Sequence, residues 1–102
     1  MAHEIIHPQH VHSTKGVGYS HAAKVGQTLY IAGQIALDIN GELVGPGDIE
    51  AQVKQVYTNL ATILNEQGGS LSNIVKLTTY LTNREHLAGL RKVRKDMFPE
   101  PF

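Results

Sequence analysis

The middle of the chain, residues 48–67, has apolar side chains at helical spacing. Asp48 is a favoured N-cap residue, and Gly68 accepts the left-handed conformation with which many helices end. A stripe on one side of a helix needs a second layer to bury it, so the segment predicts a long helix packed on another element. The stripe consists of Ile49, Val53, Val56, Tyr57, Leu60, Ile63 and Leu64.

The residues before this helix predict an antiparallel hairpin. Residues 19–25 and 28–35 are β-type runs on either side of Gly26-Gln27, a tight-turn signal. Ile5-Ile6 predicts a short first strand, and Asn40-Gly41 predicts a further turn. Leu29, Ile31 and Ile35 alternate on one face of the second hairpin strand, and Tyr30, Ala32 and Gln34 on the other. Because that other face lacks charge, we expect it to meet another protein surface.

The residues after the long helix predict a strand and a second helix. Residues 74–81 are rich in β-branched and aromatic side chains, which favour strands. Thr82 and Glu85 have capping-box spacing, and the helix they begin would run to about Met97, before Pro99 and Pro101. Its apolar stripe is Leu87, Leu90, Arg94 and Met97, with Leu90 and Val93 as the alternative.

This element order predicts one α+β domain over residues 1–102, with its helices on one face of a sheet. The formal net charge is zero, which argues against nucleic acid as a partner. The chain has no cysteine, so thiol nucleophiles and disulfide scaffolds are excluded. Its apolar runs are far shorter than the roughly 20 residues of a membrane span, and no secretory signal is visible. We therefore expect a cytoplasmic protein without a membrane partner.

Five motifs follow one another in the order and spacing of the RidA/YjgF family, which the chain resembles over about residues 16–98. They are 18–22 (GYSHA), 31–38 (IAGQIALD), 41–44 (GELV), 48–52 (DIEAQ) and 75–82 (VKLTTYLT). The resemblance implies a chorismate-mutase-like α+β fold, a mixed sheet with two helices on one face. It also implies a homotrimer with a central barrel and ligand clefts between subunits.

The same resemblance implies a function. Members of the family include deaminases that hydrolyse reactive enamines and imines. Others are named endoribonuclease L-PSP or translation initiation inhibitor. In the deaminases, an arginine near the C-terminus is thought to bind the substrate carboxylate, and a glutamate in the final strand to position water. Both would lie beyond Phe102, so the catalytic residues of this chain are unassigned, and we expect it to be a fragment that lacks the final strands.

Two departures from the deaminase pattern concern candidate ligand-binding residues. Ala32 stands where a serine often precedes the Gly-Gln pair, which removes a hydroxyl from the implied pocket. Arg91 stands where the second helix often carries asparagine. Its guanidinium is suited to carboxylates, but its charged neighbours are equally typical of a solvated helix face. Gly18 also replaces a usual proline before Tyr19.

The remaining candidates come from the implied cleft between subunits. Tyr19 offers a phenol that can hydrogen-bond substrate or water, although a structural barrel tyrosine is an equal alternative. Gly33 would let a ligand approach the backbone, the alternative being a bulge or tight packing. Leu87, one helical turn before Arg91, completes the ligand-binding set.

The histidines do not form a recognisable metal site. His3, His7, His10 and His12 lie in a Pro-containing polar segment without carboxylate partners, which favours surface positions over metal binding. His21 follows Tyr19 and Ser20 and lies either near the cleft or on a solvent-facing strand. We expect neither a metal nor a cofactor.

The sequence thus leaves three functions open. The first is a trimer that binds a small carboxylate metabolite and hydrolytically deaminates enamines or imines. The second is a non-catalytic binding or regulatory trimer, favoured by Ala32 and by the missing arginine and glutamate. The third, an endoribonuclease, follows from family naming alone, and the neutral charge weighs against it.

Overall fold

A computed structural model describes residues 2–100 and has an α+β fold. Two 3₁₀ turns, Leu71–Asn73 and Arg84–His86, lie between the helices. Pro101, predicted to follow the second helix, falls outside the described residues. The strands and helices are β1 (Glu4–Ile6), β2 (Ala22–Val25), β3 (Thr28–Ile31), α1 (Ile49–Glu66) and α2 (Leu87–Met97).

The sheet is a three-stranded meander in the order β1-β2-β3, and both strand pairs are antiparallel. The predicted hairpin is present, and Gly26 has φ +58° in its turn, as the first central residue of a type II′ turn requires. Its strands are shorter than the predicted runs, since residues 19–21 and 32–35 lie outside them. The mixed sheet implied by the resemblance is not what these strands form, since no parallel pair occurs within residues 2–100. Asn40-Gly41 also lies in a turn, but its flanks meet only through a single Leu37–Leu43 bridge.

Helix α1 begins and ends as the sequence predicts. The Asp48 carboxylate accepts a hydrogen bond from the Ala51 amide at 3.1 Å. At the other end Gly68 has φ +83°, and the Gly69 amide donates to the Leu64 carbonyl at 2.8 Å. The predicted stripe faces inward, with five of its seven residues buried: Val53, Tyr57, Leu60, Ile63 and Leu64.

The core has two parts that meet at β3. In one, α1 and α2 pack together through Val53, Tyr57, Leu60, Leu90 and Val93. In the other, Ile63 of α1 packs on the sheet against Ile6, Val11 and Ala22. Ile31 contacts both parts, so β3 joins the sheet to the helix pair.

The predicted strand at residues 74–81 is wrong for this structure. A strand exists only when its backbone pairs with a neighbour, and no described residue forms a ladder with this segment. Ile74 and Leu81 pack against the helical part of the core. Between them, Val75 and Tyr80 are 99% and 92% exposed, so an apolar segment lies open on this chain.

The start of the second helix also differs from the prediction. Asn83, not Thr82, caps the preceding 3₁₀ turn, its side chain accepting from the Glu85 amide at 2.8 Å. The buried stripe of α2 is the alternative pair Leu90 and Val93, and Arg94 is exposed. The predicted stripe Leu87, Leu90, Arg94 and Met97 is therefore wrong at Arg94. Its charged end stays in water, while the apolar residues of α2 face α1.

None of the helices in residues 2–100 combines the length and apolar character that a bilayer span requires.

Candidate functional site

Residues 6–21 fold into a wide recess of about 850 Å³ beside the start of β2. His12, Tyr19 and His21 are among its lining residues. Tyr19 is 44% exposed, so its phenol is accessible from solvent. The recess therefore offers an open hydroxyl next to two imidazole rings.

His21 is buried beneath Tyr19, with 3% of its surface exposed. The two rings lie edge to face with centroids 6.3 Å apart. Nε2 of His21 is 2.7 Å from the His12 carbonyl oxygen, and Nδ1 is 3.0 Å from the Gln34 amide nitrogen. Of the two positions left open for His21 by the sequence, the structure excludes the solvent-facing one, while a position near a cleft between subunits stays a prediction.

The surface position predicted for His12 is wrong, because only 6% of this residue is exposed. The connection between β1 and β2 folds back so that the His12 ring packs edge to face against His21, at 4.8 Å between centroids. His12, His21 and Gln34 are the polar residues that the sequence reasoning did not bring together. The burial of His12 is visible only in the folded structure, because the sequence around it is polar and has no helical or strand periodicity.

Ala32 and Gly33 follow the end of β3, and the Ala32 backbone is hydrogen-bonded to His21 and Gln34. The Ala32 amide donates to the His21 carbonyl at 2.8 Å, and its own carbonyl accepts from Gln34 Nε2 at 3.1 Å. Gly33 is exposed, its φ is not positive, and a Cβ added there would meet nothing within 4 Å. Tight packing therefore does not explain glycine at this position.

A second, shallower recess of about 360 Å³ lies on the outer face of the sheet. Ala32 lines it together with Ile5, Ala23 and Tyr30, which pair across the three strands. We call Ile5, Ala23 and Tyr30 the outer row. It lies opposite the row formed by Ile6, Ala22 and Ile31, which faces the core.

Leu87 and Arg91 lie on α2. Leu87 is half-buried against the helical part of the core, and Arg91 is exposed. Among residues 2–100, the Arg91 side chain forms no hydrogen bond or ion pair, and no such contact joins either residue to Tyr19 or Gly33. Their ligand-binding role stays a prediction.

Burial and neighbouring groups shift four pKa values, one of which is that of Lys92, raised by the hydrogen bond that its ammonium donates to Glu50. Burial, and secondly the neighbouring His21, lower the pKa of His12 below 6.5. Burial raises the pKa of Tyr57, against a smaller opposing effect of Arg94. Desolvation acts to raise the pKa of Glu66, but hydrogen bonds from Gln9 and His10 outweigh it and lower that pKa.

These titrating groups do not form a metal site, since no three His, Asp or Glu side chains within residues 2–100 cluster to hold an ion. The groups in and beside the recess are instead an exposed phenol, an exposed glycine backbone and two buried imidazole rings. These features define a small α+β protein with a partly polar recess beside the start of β2.

Comparison with known proteins identifies the class more closely. The sequence model of the Endoribonuclease L-PSP family matches residues 12–102. A RutC family protein of Pyrococcus abyssi is 41% identical over 102 residues, covering 98% of this chain and 78% of that protein. A 2-iminobutanoate/2-iminopropanoate deaminase of Capra hircus is 36% identical over 85 residues, covering 82% of this chain and 61% of the deaminase.

The fold agrees with these relatives. A crystal structure of RidA from the Antarctic bacterium Psychrobacter sp. PAMC 21119 superposes with a TM-score of 0.88 at 35% identity, covering 97% of this chain and 79% of that one. This chain belongs to the Endoribonuclease L-PSP family, which is the RidA/YjgF family indicated by its motifs.

Proposed function

We propose that this protein hydrolytically deaminates reactive enamine and imine acids. The observation that carries the proposal is the 36% identity to a protein named 2-iminobutanoate/2-iminopropanoate deaminase. The matched segment spans 61% of that relative, so the activity is proposed and not transferred. Tyr19 and Gly33 supply an accessible phenol and an uncovered backbone position.

The reaction needs water and proton transfer but no redox partner. Water oxygen bonds to the imine carbon while a proton is added to the imine nitrogen, which gives a carbinolamine. The C–N bond then breaks, ammonia leaves with the electron pair and a proton, and the hydroxyl loses its proton to become the carbonyl. For 2-iminobutanoate and water the products are 2-oxobutanoate and ammonia. General acid–base assistance of such steps typically contributes about 10²–10⁴-fold.

Within this chain, binding groups are easier to name than acid–base groups. The Tyr19 hydroxyl can donate to or accept from the substrate or its water. The Gly33 amide can donate to the carboxylate, and Arg91 is the candidate for a bidentate contact. We leave the acid–base groups unassigned, and Leu87 remains a candidate for apolar contact.

We further propose that the outer row forms a subunit interface in a homotrimer. Ile5 and Tyr30 are 44% and 64% exposed, and neither their row nor the neighbouring Val25 and Thr28 carries a charge. An uncharged, exposed sheet face is typical of a surface that another protein covers. A cleft beside it would combine Ala32 of one subunit with a surface of the next.

A non-catalytic ligand-binding trimer is the second candidate function. It is favoured by Ala32, which lacks the hydroxyl that family deaminases often place there. An endoribonuclease activity accords with the family name, but the chain has no net charge to attract RNA.

The test is ammonia release from 2-iminobutanoate, formed in place by a pyridoxal-phosphate dehydratase acting on threonine. We expect the chain to accelerate release, and Tyr19→Phe to lower kcat/KM by roughly 10-fold, the loss of one hydrogen bond to a charged substrate. Tyr80→Phe is the matched control, because Tyr80 is 92% exposed and outside the site. Binding of 2-oxobutanoate with no acceleration would favour the binding protein and reject the enzyme.

A further inference from the structure

Two side chains behind Ala32 and Gly33 have no assigned role, although both are committed to hydrogen bonds. Nε2 of Gln34 lies 3.0 Å from Nδ1 of His21 and 3.1 Å from the Ala32 carbonyl oxygen. Nε2 of His21 lies 2.7 Å from the His12 carbonyl oxygen. We call these two side chains, together with the His12 backbone carbonyl, the histidine–glutamine network.

The partners fix the tautomer of His21. A carbonyl oxygen only accepts, so Nε2 of His21 must carry the hydrogen that is donated to His12. An amide NH₂ group only donates, so Nδ1 of His21 must be the bare acceptor of the bond from Gln34. His21 is thus a neutral imidazole with its proton on Nε2.

The orientation of the Gln34 amide is fixed by the same bonds. Exchanging its oxygen and nitrogen would place Oε1 against the Ala32 carbonyl oxygen, where two acceptors would face each other. It would also require protons on both nitrogens of His21. The ring would then carry a positive charge, although only 3% of this residue is exposed to solvent. Only one arrangement satisfies all the donors.

This arrangement orients one peptide group. The peptide bond is planar and trans, so the Ala32 carbonyl and the Gly33 N–H point in opposite directions. Because Gln34 holds the carbonyl, the Gly33 N–H must point away from the Gln34 amide. No acceptor among residues 2–100 contacts it, and Gly33 is exposed. The result is a preoriented, unused donor at the end of β3.

We propose that Gln34 and His21 are positioning residues that hold the Ala32–Gly33 peptide so that the Gly33 N–H meets the carboxylate of a bound acid. This inference deepens the proposed function and rests on it for the class of ligand. His21 contributes twice, through its backbone carbonyl to the Ala32 amide and through its ring to Gln34. The His21 ring also packs edge to face with the Tyr19 ring, so the residue that positions the Gly33 N–H also contacts Tyr19.

Nuclear magnetic resonance tests the network and the donor in one sample. Long-range ¹H–¹⁵N spectra of the full chain at pH 7 should show His21 protonated at Nε2 alone. Titration with 2-oxobutanoate should shift the Gly33 amide downfield, as a new hydrogen bond to a carboxylate requires. A proton found on Nδ1 of His21, or a Gly33 amide that does not respond, would overturn the inference.

Variants separate positioning from folding. Gln34→Ala should weaken 2-oxobutanoate binding by roughly 10-fold, because the donor is no longer held. Gln27→Ala, an exposed glutamine in the β2–β3 turn, is the matched control and should bind as the wild type does. His21→Asn keeps an acceptor near the position of Nδ1 for the Gln34 amide and should restore much of the affinity that His21→Ala loses. Equal affinity in wild type and Gln34→Ala, with both folded by thermal melting, would reject positioning.

Failure of this inference is distinguishable from failure of the proposed function. If the wild type releases no ammonia but its Gly33 amide responds to 2-oxobutanoate and Gln34→Ala loses that response, deamination is rejected and positioning stands. If the wild type turns over imine while Gln34→Ala leaves KM and kcat unchanged, deamination stands and positioning is rejected.

Discussion

The imidazole rings of His12 and His21 lie edge to face with their centroids 4.8 Å apart, and both side chains are buried. Nδ1 of His12 is buried without a hydrogen-bond partner among residues 2–100. The His12 ring therefore acts chiefly as an aromatic anchor, which packs the connection between β1 and β2 onto the sheet.

Because burial and His21 lower the pKa of His12, stability should depend on pH. The unfolded chain binds the His12 proton near pH 6.5, whereas the folded chain resists it, so the unfolded state gains protons first. The stabilisation is complete above pH 6.5 and is lost as pH falls below it. We expect the wild-type Tm to drop between pH 7.5 and about 5.5, and His12→Phe, which keeps the ring, to flatten that dependence.

The control for this prediction is His3→Phe, at an exposed histidine. It should retain the wild-type pH dependence. Glu66, whose pKa lies below 4.5, titrates outside this range and does not interfere. A His12→Phe melt as pH-sensitive as the wild type would show that another group is responsible.

Asn59 gives a second prediction, because it is a buried polar residue inside the apolar face of α1. Its Nδ2 donates to the carbonyls of Ile35 and Leu37 at 3.2 and 3.0 Å, and its Oδ1 accepts from Gln55. Asn59→Ala leaves both carbonyls without this donor, so the free energy of unfolding should fall by about 1–3 kcal/mol in urea titrations.

Asn65→Ala, at an exposed position near the end of α1, is the control and should change the free energy of unfolding by less than about 0.5 kcal/mol. Equal effects of the two substitutions would mean that water replaces the Asn59 amide without cost.

The parts of the fold that the sequence predicts are those whose signals are local. Helix α1 follows from its own spacing, its Asp48 cap and its Gly68 end, and the hairpin follows from Gly26 in its turn. Asn59 was not predictable in the same way. A single polar residue beside an apolar stripe signals nothing until residues 35–37 are seen to need its donor.

Errors arose where structure depends on distant partners. Residues 74–81 have strand-like composition, but a strand also needs a neighbour, and none of the described residues pairs with them. His12 was predicted to lie on the surface because it sits in a polar segment, and only the fold brings it under His21. Around the recess, the sequence named Tyr19 and Gly33 as candidates, and their ligand-binding role stays a prediction. It did not name Gln34, whose bonds run to residues 2 and 13 positions away.

A third prediction concerns the close approach of the two helices at Gly89. A Cβ added there would lie 2.8 Å from Cγ2 of Ile49. Gly89→Ala gains about 1 kcal/mol of helix propensity, but the overlap should cost about 1–3 kcal/mol, so we expect net destabilisation. Ile49→Ala removes the obstructing group, and the double variant should be more stable than the sum of the single effects. Additive free energies in urea titrations would contradict a contact at this place.

The last prediction concerns Tyr30, the most exposed member of the outer row. If copies of the chain cover this face, the wild type should sediment as three 11.2 kDa subunits. Tyr30→Lys should then shift it towards the monomer, because an unpaired charge in a covered apolar face costs several kcal/mol. Thr58→Lys adds the same charge to the exposed side of α1 and should leave the assembly unchanged. A wild-type monomer at high concentration, with circular dichroism showing both variants folded, would remove the intersubunit cleft and require a binding site within one chain.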